Sequence, residues 1–115
     1  MTTKGRSVAD HPLADAVVVS KHAIHRWATR IGLEGLRREK DVVLRILDLL
    51  LEAVPVTETL FYSHGVLLGF EGDTVTTVFR PGTNSQKLKV RRALQRERER
   101  RRLDSRRPQG ISSLT

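Results

Sequence analysis

Thr59-Leu60-Phe61-Tyr62-Ser63-His64-Gly65-Val66-Leu67-Leu68-Gly69-Phe70-Glu71-Gly72-Asp73-Thr74-Val75-Thr76-Thr77-Val78-Phe79-Arg80 is the stretch that decides the fold class. Three short runs rich in strand-forming residues, 59–63, 66–71 and 74–80, are separated by His64-Gly65 and Gly72-Asp73, which suit tight turns. Two tight turns joining three strands predict an antiparallel meander. Pro81 and Gly82 close it.

Upstream the period changes. Over residues 39–54, Val43, Ile46, Leu47, Leu50 and Val54 recur at helical spacing, widened by Val42, Leu49 and Ala53. Asp41, Arg45, Asp48 and Glu52 form the polar stripe of this mostly buried helix, which Pro55 prevents from continuing. A first amphipathic helix starts at Lys21 after Ser20, a good N-cap, with Ile24, Trp27, Ala28 and Ile31 on one face and Gly32 as its stop. Before it, residues 16–19 form a β-branched run too short for a helix. A linker, 33–38, contains Gly35. The fold expected is α+β: two N-terminal helices packed on a small, mostly antiparallel sheet in the order β-α-α-β-β-β, with a C-terminal basic helix. Residues 1–15 read as a flexible lead-in, 16–82 as the compact domain and 83–115 as a basic tail, helical or disordered.

Charge divides the chain at the same place. Residues 1–82 hold ten Lys or Arg and ten Asp or Glu, whereas 83–115 hold eleven basic and three acidic residues, so the whole net charge of +8 lies in the last third. A balanced body with a cationic appendage points to a polyanion such as nucleic acid. Lys87, Lys89, Arg91, Arg92, Arg96, Arg98, Arg100, Arg101 and Arg102 are the candidate nucleic-acid-binding residues. Leu88, Val90, Ala93 and Leu94 can dock the first two turns, but residues 95–102 contain nothing apolar, and 108–115 read as a frayed end. No aromatic residue follows Phe79, so the tail itself offers no base stacking.

With 115 residues the chain is one domain and a tail, not a large multidomain enzyme. The absence of cysteine excludes disulfides, thiolate nucleophiles and Cys-ligated metals. No stretch approaches the ~20 apolar residues of a membrane span, and Met1 to Asp10 lack the apolar core of a signal peptide. A cytoplasmic protein without membrane contact or cofactor is the expectation.

The first helix carries the most chemistry. His22, His25, Arg26 and Thr29 fall on the face away from Ile24, and His22 and Arg26 are stacked neighbours four apart. Cleavage of an RNA strand without a metal needs a base, an acid and cations on the developing phosphorane charge, and histidine and arginine suit those tasks. A surface helix also always has a polar face, and His64 reads as a turn residue only. A metal on His22 and His25 lacks any carboxylate on that face to complete it.

Val-Val-Val-Ser-Lys-His-Ala-Ile-His-Arg at residues 17–26, followed by a meander ending Thr-Val-Thr-Thr-Val-Phe-Arg, resembles the small ribonuclease toxins of the barnase, EndoU, colicin and RelE type, over roughly residues 16–81. The likeness is closest to short bacterial and phage members with a Lys-His-Ala first helix. It implies helices packed on an antiparallel sheet that receives RNA. By resemblance His22 is the general acid or base, Arg26 and Arg80 bind phosphate and transition state, and Thr77 assists; His25, on the same helix face, is a candidate second imidazole. Strict alternation sets Thr77 and Arg80 on opposite strand faces, so one site needs a bulge or the Pro81 bend. The function expected is RNA-directed, a metal-independent endoribonuclease of toxin type, with the ribosome as one seat for the tail. Two alternatives stand beside it: a non-catalytic RNA or ribonucleoprotein binder, and a phage or bacterial adaptor whose tail grips an acidic partner such as an antitoxin.

Overall fold

A computed structural model describes residues 7–33, 36 and 38–106, with backbone alone at 105 and 106. The Gly35 of the expected linker and the expected frayed end lie outside the described residues. Five strands form one sheet: β1 (Val18–Val19), β2 (Val54–Thr57), β3 (Leu60–Ser63), β4 (Val66–Glu71) and β5 (Thr74–Phe79), ordered β1-β5-β4-β3-β2. All neighbours are antiparallel except β1 and β5, which run parallel. Helices α1 (Lys21–Arg30) and α2 (Glu39–Leu51) cover one face and α3 (Asn84–Arg106) the other. The protein is α+β.

The principal core lies under α1 and α2. Ala23, Trp27, Val42 and Ile46 meet Val66, Leu68, Val75 and Val78, all buried. Ser20 caps α1, its hydroxyl accepting from the Ala23 N–H at 3.0 Å, and Gly32 ends it at φ +111°, a conformation that suits glycine.

The second helix stops at Leu51, three residues short of the expected end, and Val54 opens a strand that the sequence reading placed inside the helix. The physical reason is Pro55: it pushes the residue before it out of the helical region, and its missing N–H is tolerated in β2 because that strand is the sheet edge. The lead-in also differs from a loose segment over its described part. A short 3-10 turn, Val8–Asp10, leads to His11, which is buried with Nε2 2.9 Å from an Asp48 carboxylate oxygen while Nδ1 accepts from the Leu13 N–H at 3.0 Å.

Alternation in β5 is broken. Val75 and Val78 are three apart yet both sit in the same core, because the register slips between Gly69 and Phe70 of β4: Thr77 pairs with Gly69, Val75 with Phe70, and Thr76 is the extra residue. Thr77 shares the α3 side with Phe79, as alternation requires, while the bulge turns Val75 to the other face. Gly69 makes this possible, since a Cβ there would stand 2.6 Å from the Thr77 methyl. We expect Gly69→Ala to cost about 1–3 kcal/mol by overpacking, and Thr77→Ser in the same chain to recover most of it. Urea denaturation of the two variants checks this; an unrelieved deficit in the double variant would place the strain elsewhere.

Candidate nucleic-acid interface

The four residues singled out for catalysis divide into a pair and two outliers. His22 and Arg26 meet on the exposed side of α1, with Arg26 Nε donating to His22 Nε2 at 3.0 Å. In that bond the imidazole accepts, so its ring proton sits on Nδ1. Thr77 lies on the opposite face of the sheet, on the α3 side. Arg80 lies beyond the other end of β5: an added Cβ at Gly65 would stand 3.7 Å from its Nη1, which places the guanidinium over the β3–β4 turn. Ser20, next to the start of α1, hydrogen-bonds Val75 at 3.1 Å. At its other end α1 brings Arg30 Nη1 to the Val78 carbonyl at 3.4 Å, so the helix runs along β5 and His22 sits at the end away from Arg80. The bulge exists but lies before Thr77, so it turns Val75 and leaves Thr77 and Arg80 on opposite faces.

His25 parts company with His22 as well. It lines a groove of about 280 Å³ between α1 and α2 with Lys21, Ile24 and Val42. The buried face of α1 centres on Ala23 and Trp27, not on Ile24; both imidazoles are exposed and about 60° apart around the helix, and of the two only His25 borders that groove. The Thr29 hydroxyl is spent on the His25 and Arg26 carbonyls, 3.2 Å from each. Among the described residues no group of three or more potential ligands could hold a metal ion.

The cationic segment is ordered as one 23-residue helix, ~35 Å long at 1.5 Å per residue. Its start is a capping box: Thr83 Oγ1 accepts from the Gln86 N–H at 3.1 Å, and Gln86 Oε1 accepts from the Gly82 and Thr83 N–H groups at 2.8 and 3.2 Å. Val90 and Ala93 are buried against the sheet, and Leu94 joins Val54 and Tyr62 in lining a groove farther along. Leu88, expected to dock, remains 43% exposed, because Val90 and Ala93 set a buried face on which it has no place.

All nine candidate cations are exposed. Arg100 and Arg101 are the exceptions to their freedom: both engage Glu97, at 2.7 and 3.0 Å, and Arg100 also lies 3.8 Å from Asp104. The Arg100 hydrogen bond is the main reason the Glu97 carboxyl is held below the ordinary carboxylate range. The other seven make no ion pair among the described residues. Two of the three acidic residues of the helix are thus occupied by its own arginines, and Glu99 alone faces outward unpaired.

Sequence reasoning began this helix at Gln86, two residues late, and passed over the capping box that Thr-x-x-Gln at residues 83–86 signals. It also passed over two imidazole–carboxylate pairs. His11 with Asp48 joins residues 37 apart, and His64 reaches Glu52 at 2.8 Å across the fold. No local spacing announces either. No described helix is long and apolar enough to cross a membrane. Comparison of the chain with protein families, curated proteins and solved structures finds no match.

Proposed function

We propose that this chain is a nucleic-acid-binding protein that grips the sugar-phosphate backbone through α3. The observation that carries the reading is a set of seven exposed cations without ion-pair partners among the described residues, Lys87, Lys89, Arg91, Arg92, Arg96, Arg98 and Arg102, held on a helix docked to a charge-balanced body. Each neutralised phosphate releases counterions, so seven contacts give a log–log salt slope near ~6 on a duplex and ~5 on a single strand. Anisotropy of labelled RNA and DNA oligonucleotides between about 50 and 200 mM salt measures it. Affinity indifferent to salt would refute the reading. Competition by polyglutamate as strong as by RNA would assign the helix to an acidic protein, such as an antitoxin.

The His22–Arg26 hydrogen bond favours a second reading, endoribonuclease activity of the toxin type that the sequence resembles. The bond sets an imidazole beside a guanidinium, the residue types that proton transfer and phosphate binding use, and since Arg26 occupies the Nε2 lone pair, base action by His22 requires that bond to open. This reading now rests on two residues of the four. Labelled RNA is expected to be cut by the wild type and left whole by His22→Ala, a loss of at least about 100-fold. Equal cutting by His22→Ala, or none by the wild type, removes it.

A further inference from the structure

The distribution of residue types around α3 points to one form of nucleic acid. Taking ~100° per residue with Val90 at zero, the body-facing side holds Gln86, Val90, Ala93, Leu94 and Glu97, all buried or half-buried, and then Arg101, which is exposed. Lys87, Arg91, Arg98 and Arg102 fall between about 60° and 120°, and Lys89, Arg96 and Arg100 between about 240° and 280°. Between these two cationic shoulders, at about 140° to 200°, stand Arg92, Gln95 and Glu99 with Leu88. The helix therefore presents two rails of positive charge separated by roughly its own diameter, ~10–12 Å, and a ridge of hydrogen-bonding side chains between them.

We infer that α3 is a recognition helix for B-form duplex DNA, lying in the major groove with its apex toward the bases. The inference rests on the nucleic-acid reading above and names the ligand within it. A B-form major groove is ~12 Å wide and walled by two phosphate strands, one for each rail. The apex types are those that read base edges there: arginine pairs with guanine O6 and N7, glutamine with adenine N6 and N7, and a carboxylate accepts from cytosine N4. This gives Glu99 a role that phosphate binding denies it, since a lone outward anion weakens a purely electrostatic grip. The sheet backs the opposite side of α3, so the body stays clear of the groove. Double-stranded A-form RNA keeps its major groove too narrow for side chains to read, and single strands are held by aromatic platforms that α3 lacks.

From Arg92 to Glu99 is ~10 Å of helix, which spans about three base pairs at ~3.4 Å each. Selection from a randomised duplex DNA library with the full chain is expected to enrich a motif of about that length containing guanine and adenine. Arg92→Ala should erase the guanine preference and Gln95→Ala the adenine preference, each lowering affinity for the selected site by about 10- to 100-fold. Both side chains are exposed, so the variants keep the fold. Absence of an enriched motif, an unchanged motif in both variants, or tighter binding to single-stranded or duplex RNA than to the selected DNA each overturns the inference. Equal salt-dependent binding to all of these would overturn it while leaving the nucleic-acid reading intact; no binding to any overturns both.

Discussion

Replacing Lys87, Arg91, Arg98 and Arg102 together by glutamine is expected to weaken duplex binding by about three to four orders of magnitude near 0.1 M salt, and to lower the salt slope by about four. The size follows from counterion release, since each phosphate contact contributes close to one decade at that ionic strength. Glutamine keeps the helix propensity of the residues it replaces, and none of the four side chains is buried, so the fold and helix content should be unchanged. Anisotropy titrations with circular dichroism on the same samples measure both. A loss under about tenfold, with the helix intact, would mean that this shoulder of α3 does not carry the contacts.

The second large effect concerns the body that holds α3 in place. Trp27 is 3% exposed in the principal core, and Trp27→Ala should cost about 3–5 kcal/mol, a large share of the stability of a domain this small. Its indole Nε1 is buried with no hydrogen-bond partner among the described residues. Trp27→Phe removes that orphan donor with part of the ring, so two opposing terms nearly offset, and the cost should stay within about 1.5 kcal/mol. Urea unfolding of both variants separates the terms. Equal destabilisation by Phe and Ala would show that the indole nitrogen is satisfied, for instance by bound water.

The meander was legible because period two, two Gly-containing turns and β-branched runs all agree between Leu60 and Phe79. The first helix was legible from Ser20, the Trp27 face and Gly32. What escaped depended on partners far away in sequence. Val54 read as a helix end because it continues the α2 apolar pattern, and only pairing with Phe61 and Tyr62 shows that the chain has already turned into a strand there. The direction of Val75 depends on a bulge set by the bare Cα of Gly69 on the neighbouring strand. At the candidate site, the His22–Arg26 pair was legible because i,i+4 neighbours on a helix touch whatever the fold does. Convergence with Thr77 and Arg80 was not, because it requires the sheet's thickness and length, which no spacing encodes. The cationic run was visible in composition alone. Its sorting into two rails and an apex became visible only when Val90 and Ala93 fixed which side faces the sheet.

The most direct test is amide chemical-shift mapping of the full chain during titration with a mixed-sequence DNA duplex. Shifts concentrated at Leu88, Arg92, Gln95, Glu99 and their α3 neighbours, with His22 and Arg26 unmoved, are the result expected. Shifts confined to α1 or to the strands, with α3 silent, would contradict α3 as the interface.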